Sequence, residues 1–114
     1  MQISYEIGAD GLARVALSGR MDIEGTQTIE LKLASYTSSD NGIFIIDLSH
    51  VTFLASMGIR ALIITAKSVR TRRGRLVIMG ADQNVTHTLQ TAGVDSVIPL
   101  FPDFESARCA VLGG

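Results

Sequence analysis

Apolar residues run through Ile3 to Ile7 and again through Leu12 to Leu17, on either side of the turn-forming tetrapeptide Gly8-Ala9-Asp10-Gly11. The pattern predicts an N-terminal hairpin. After Gly19-Arg20-Met21-Asp22, the segment from Thr26 to Tyr36 places Ile29, Leu33 and Tyr36 on one side at helical spacing, and Ser38 to Gly42 stops it. From Gly42 to Leu48 the chain is apolar with little alternation, as a strand covered on both faces requires. A second helix is predicted from Ser56 to about Arg70, then Gly74, a strand from Arg75 to Met79 and a polar turn at Gly80 to Asp82. Asn84 to Ala92 reads as a third helix stopped by Gly93. Ser96 to Leu100 reads as a last strand, placed at an edge by Pro99, and Pro102-Asp103 introduces a fourth helix ending near Leu112. The expected class is α/β, with a mixed, mostly parallel sheet of about five strands opened by a hairpin and about four helices packed against it.

At 114 residues, 46% of them hydrophobic, the chain suffices for one core and is expected to form a single domain over 1–114. Its apolar runs fall far short of the roughly 20 residues of a membrane-spanning helix, and Met1-Gln2-Ile3-Ser4-Tyr5-Glu6 lacks the basic and apolar regions of a secretory signal. A soluble cytoplasmic protein is expected, without membrane attachment. A net charge of −1 gives no global attraction to nucleic acid. One local departure is the group Lys67, Arg70, Arg72, Arg73 and Arg75 where the second helix ends, cations that complement a helix dipole or dock an acidic partner. The single cysteine, Cys109, falls among apolar helix positions and is expected in the core. His50 and His87 are 37 positions apart with no cysteine beside either, so no metal is expected.

Ser56 is the residue with chemistry to offer. At the head of a helix its hydroxyl is expected to cap a free backbone N–H. A phosphoryl group on the same oxygen would lie at the positive end of the helix dipole. At about 100° per residue, Ile59, Leu62, Ile63, Ala66 and Val69 share the face that should cover the sheet. Met57, Ala61, Ile64 and Ser68 form a second, small and apolar face, with Arg60 and Lys67 along its flank. Such a face is either covered by the fold or offered to a partner.

The order of elements, together with Gly19-Arg20-Met21-Asp22 and the run Ile46-Asp47-Leu48-Ser49-His50-Val51-Thr52-Phe53-Leu54-Ala55-Ser56-Met57-Gly58-Ile59, resembles the STAS domain of bacterial anti-sigma factor antagonists. The resemblance spans essentially the whole chain. It implies a protein that binds an anti-sigma factor that is also a serine kinase, releasing the sigma factor for transcription. Phosphorylation of one serine would end the interaction and a serine phosphatase would restore it. Matched position by position, Ser56 is the phosphoacceptor, Gly58 the glycine that follows it, and Asp22 the aspartate of the loop after the second strand. Asp22, Met57, Gly58, Arg60, Ala61 and Ile64 are the residues expected to serve the partner. Ala55 stands where many members have an aspartate, and Met57 replaces a second small or hydroxyl residue. No cofactor is implied for the domain, since ATP and magnesium belong to the kinase.

Other chemistries fit the residues less well. Leu54-Ala55-Ser56-Met57-Gly58 lacks the first glycine of a Gly-x-Ser-x-Gly nucleophile elbow, and no Gly-x-x-x-x-Gly-Lys-Ser/Thr loop is present. An enzyme is therefore not expected. Asp47 suggests a phosphoaccepting receiver, but Ala9-Asp10 in a hairpin and Phe101-Pro102 after the last strand supply neither the acidic pair nor the lysine of such a site. Asp47 reads instead as a residue that closes a strand and bonds its own turn. The alternative use of the same fold is a scaffold or adaptor that binds through the second helix without phosphorylation.

Overall fold

The computed structural model describes residues 1–113; Gly114, the last position of the expected 1–114 domain, lies outside them. Strands β1 (Gln2–Ile7) and β2 (Leu12–Met21) form the expected antiparallel hairpin. Helix α1 (Ile23–Tyr36), strand β3 (Ile43–Leu54), helix α2 (Ser56–Thr71), strand β4 (Arg75–Met79), helix α3 (Gln83–Thr91), strand β5 (Leu100–Phe101) and helix α4 (Phe104–Leu112) follow. The sheet runs in chain order, β1-β2-β3-β4-β5, and every pairing after the hairpin is parallel.

Alternation along the strands divides the core in two. Val15 and Leu17 of β2, Phe44, Ile46 and Leu48 of β3, and Leu76 and Ile78 of β4 pack with Ile29 and Leu33 of α1, Leu62, Ala66 and Val69 of α2, and Val85 and Leu89 of α3. The intervening residues Leu12, Ile45, Val77 and Met79 point to the other face, where Ala107 and Val111 of α4 cover them. With β3 central and covered on both sides, its unbroken apolar run is accounted for.

Expectations about β3, the last strand and Cys109 need correction. Strand β3 does not end at Leu48. It accommodates two extra residues against β2, where the register shifts between Ala16 and Ser18 and again between Gly19 and Arg20, and it continues to Leu54. These bulges replace strict alternation with inward residues at Leu48, Val51 and Leu54, so the polar residues between them resemble a turn. The last strand is only Leu100–Phe101, because Val94–Ser96 forms a 3-10 turn whose Val94, like the following Ile98, is fully buried. Pro99 still joins the edge through its carbonyl, which accepts from Ile78 N–H at 3.0 Å. Cys109 is exposed, its face of α4 turned away from the sheet.

Asp47 does more than bond its own turn. It is buried within the strand rather than closing it, accepts from the Ser49 hydroxyl at 2.6 Å and the Ser49 N–H at 2.9 Å, and receives the Arg14 guanidinium at 2.9 Å. That guanidinium also lies over the Phe104 ring, 4.7 Å from its centroid, which ties β2 and β3 to α4. Burial pushes the Asp47 carboxyl pKa up, but the Ser49 hydroxyl, Arg14 and the Ser49 amide outweigh it and hold it below the ordinary range. A lowered folded-state pKa stabilises the protein above the unfolded carboxyl pKa, and that contribution disappears as pH falls through the folded value. Asp47→Asn is expected to cost about 1–3 kcal/mol at neutral pH. In urea titrations repeated down the pH scale, the gap from wild type should narrow below about pH 4; a gap independent of pH would show that the charge contributes nothing.

Candidate partner-binding site

Strands β2 and β3 end side by side, and each hands the chain to a helix. Ala55 N–H donates to the Met21 carbonyl at 3.1 Å, which joins the two strand ends just before the helices begin. Asp22 caps α1: its Oδ1 accepts from Gly25 N–H at 2.7 Å, and its Oδ2 lies 3.5 Å from Arg20 Nε. The Gly25 amide, against a smaller opposing effect of burial and with help from Arg20, holds the Asp22 carboxyl below its usual pKa. Asp22 therefore stays ionised at neutral pH as the cap of α1, which begins at Ile23 rather than at Thr26.

Helix α2 begins differently. The residue in capping geometry is Ala55, in extended conformation, and no side chain caps this end; Ser56 is the first helical residue and is exposed. The expectation that Ser56 caps the helix is thus corrected by one position. The first helix-type bond at this end runs from Ile59 N–H to the Ala55 carbonyl at 3.1 Å. The amides of Ser56, Met57 and Gly58 consequently have no acceptor within the helix, and the positive end of its dipole opens beside the Ser56 hydroxyl.

The other expected residues separate by burial. Gly58 is buried, and a Cβ there would lie 2.7 Å from Met21 Cγ, 2.8 Å from Leu54 Cδ1 and 3.0 Å from the Met21 carbonyl oxygen. The missing side chain lets α2 sit close against the strand ends. Gly25 does the same for α1, where a Cβ would overlap the Arg20 carbonyl oxygen. Ala61 is half-buried against the main core and Met57 is half-buried, so the second face of α2 is partly covered by the fold. Arg60 is exposed, and Ile64 is 53% exposed. On the opposite face of the helix, Leu62, Ala66 and Val69 are buried as expected, while Ile59 and Ile63 are half-buried.

Ile23, Ala55, Ser56, Met57 and Arg60 line an open depression of about 350 Å³. Nearby on the chain, Phe53 is 41% exposed beneath the Arg20 guanidinium, 4.4 Å from its ring centroid. Ile23 and Phe53 were not singled out from the sequence; the signal for each was an apolar residue just outside the expected helix or strand. A larger depression of about 560 Å³ lies between the hairpin turn and α4. Its two arginines are already engaged, Arg14 by Asp47 and Arg108 by Asp10. Among the described residues no cluster of His, Cys, Asp and Glu is placed to hold a metal, and no helix is long and apolar enough to cross a membrane.

A hairpin-opened sheet with a serine at the head of its second helix defines a class of domain, and residues 7–107 match the STAS domain model, so the chain belongs to the STAS domain family. Its relatives include BtrV of Bordetella bronchiseptica, 25% identical over 89% of this chain and 87% of that protein. The anti-sigma-F factor antagonist RsfB of Mycobacterium tuberculosis is 28% identical over 92% of this chain and 85% of its own. Among solved structures, an anti-sigma factor antagonist from Mycobacterium paratuberculosis is 26% identical with a TM-score of 0.82, covering 96% of this chain and 94% of that one.

The packing at Gly58 generates a test of how the site is built. Alanine gains up to about 1 kcal/mol in helix propensity, but its methyl group would press on a backbone carbonyl that cannot swing aside, and overpacking of this kind costs about 1–3 kcal/mol. Gly58→Ala is expected to lower stability by up to about 2 kcal/mol in urea unfolding, the overpacking cost less the gain in helix propensity. A raised midpoint would mean that α2 lifts from the strand ends at less cost than the helix gains from alanine.

Proposed function

We propose that this protein is an anti-sigma factor antagonist that binds an anti-sigma factor acting as a serine kinase and is switched off by phosphorylation at Ser56. The observation that carries the proposal is the exposed Ser56 hydroxyl at the uncapped N-terminus of α2. In the unmodified protein it leaves a surface of Ile23, Ala55, Met57 and Arg60, free of negative charge, to meet a partner. A phosphate there would place close to two negative charges in the contact. The free first-turn amides would stabilise the phosphate without unfolding the helix. Asp22 and Gly58 act in this reading as positioning residues, while Met57, Arg60 and Ile64 present side chains to the partner; Ala61 contributes only its half-exposed edge.

The names of the relatives support the reading, RsfB being an anti-sigma-F factor antagonist. SpoIIAA, an anti-sigma factor antagonist with the same fold at 16% identity and a TM-score of 0.77, has been solved in unphosphorylated and phosphorylated forms. The protein is then the kinase's substrate and not itself a catalyst, and a serine phosphatase completes the cycle. Ala55 favours a second reading, a phosphorylation-independent adaptor, because a kinase that reads a carboxylate before the serine finds none here. The STAS domain of a SulP transporter from Vibrio cholerae, 29% identical over 90% of this chain and 82% of its own, belongs to a protein of a different kind.

Capture from a lysate of the native host, followed by incubation of the recovered kinase with ATP and mass spectrometry, tests the reading. A phosphate is expected on Ser56 and nowhere else. Ser56→Ala should bind the kinase as wild type does. Ser56→Asp should bind at least about tenfold more weakly, equivalent to about 1.4 kcal/mol; equal affinities would leave the adaptor. Ile64→Glu should also weaken binding about tenfold with an unchanged circular-dichroism spectrum, whereas loss of the helical signal would assign Ile64 to the core.

A further inference from the structure

Between Asp47 and Asp82 the chain has no acidic residue, yet it carries Arg60, Lys67, Arg70, Arg72, Arg73 and Arg75. The ion pairs of the described residues all use other cations, namely Arg14, Arg20 and Arg108. Of the six, Arg70 donates to the Val97 carbonyl at 3.0 Å and Arg72 to the Thr37 carbonyl at 3.4 Å. Both keep their full charge, since a carbonyl neutralises nothing. Asp40, which lines a shallow depression with Arg72 and Arg73, is the carboxylate that shares this end of the helix.

The placement of these cations is not random. Ser56, Arg60, Ile64, Lys67 and Thr71 follow one another at intervals of three and four residues, and all are exposed. They form one stripe along the solvent side of α2, with Arg70 beside its far end and Arg73 just beyond. A helix of 16 residues is about 24 Å long, the span of about seven residues of extended chain. The stripe is not uniformly charged, because Ile64 stands bare at its centre. A nucleic acid backbone offers nothing apolar to such a residue, and the chain's net charge of −1 opposes a polyanion outside the stripe.

We infer that the exposed stripe of α2, Arg60-Ile64-Lys67-Arg70 continued by Arg73, docks an acidic segment of a protein partner, with Ile64 receiving one apolar side chain of that segment. That the partner is the anti-sigma kinase rests on the preceding reading; the surface itself does not. Under that reading a phosphoryl group on Ser56 stands one turn from Arg60 and competes with the acidic segment for it. Phosphorylation then removes a cation from the track as well as adding repulsion at its head.

The probe is a fluorescent peptide of about ten residues, Glu-rich with one central Leu, followed by anisotropy at low salt. The chain's two lysines, Lys32 on α1 and Lys67 on α2, allow the same charge reversal inside and outside the stripe. Lys67→Glu should weaken peptide binding about fivefold or more and Lys32→Glu less than about twofold, both with wild-type circular dichroism. Equal losses would reduce the effect to net charge and overturn the inference, as would tighter binding of a DNA duplex of about 20 base pairs or absence of peptide binding. No kinase enters this assay. If kinase capture fails while Lys67 and Lys32 still differ, the proposed function falls and the docking stripe stands; if capture succeeds and the difference is absent, the stripe falls alone.

Discussion

The parallel pairing of β2 with β3 is the constraint on which the rest of the molecule depends. It brings Met21 and Leu54 to the same end of the sheet, and the bond from Ala55 N–H to the Met21 carbonyl joins the exits of the two strands. Both helices leave from that junction. The close approach of their first turns leaves no room for a Cβ at Gly25 or Gly58. Were the strands paired one residue out of step, inward and outward side chains would exchange places, and the helix that presents Ser56 would start from a different corner. The site is thus a product of sheet register first and of local helix chemistry second.

The two helix starts differ in their chemistry. Helix α1 is closed by the Asp22 carboxylate, which satisfies a free amide and brings negative charge to the positive end of the dipole. Helix α2 has only the methyl group of Ala55 in that place. An end left uncapped beside an exposed hydroxyl sacrifices some stability of its first turn, and in return its amides remain available to an incoming anion. Ser56, as the first helical residue rather than the cap, points its hydroxyl outward instead of using it internally.

Much of this was legible in the sequence where side-chain spacing and local chemistry agreed. The hairpin around Gly8 to Gly11, the strand Arg75 to Met79 and the inward face of α2 follow from patterns that tertiary structure had no reason to override. The length of β3 was hidden, since two bulges turn its period of two into a spacing of three at Leu48, Val51 and Leu54. The cap of α1 was hidden for another reason. Thr26 to Tyr36 already carries the helical spacing, so the first turn, held by Asp22 and Gly25, lies upstream of the apolar signal. On α2, Ser56, Arg60 and Ile64 are exposed, while the burial of Gly58 and half-burial of Ala61 reflect packing against the strand ends and core that no single-helix projection contains. Cys109 shows the same limit: apolar neighbours in sequence do not say which side of a short helix meets the sheet.

The unequal covering of the two sheet faces bears on how motion is distributed. One face is packed by α1, α2 and α3 into an extended core, whereas the other is closed by α4 alone, through Ala107 and Val111 over Leu12, Ile45, Val77 and Met79. Helix α4 follows a two-residue edge strand and is fastened laterally by Arg108 to Asp10 and by Arg14 against Phe104. Elements with few buried partners open locally at lower free energy than the core they cover. The fold therefore covers its second sheet face with an element other than the one that presents Ser56, so a change in the packing of α4 need not reach the surface around Ser56.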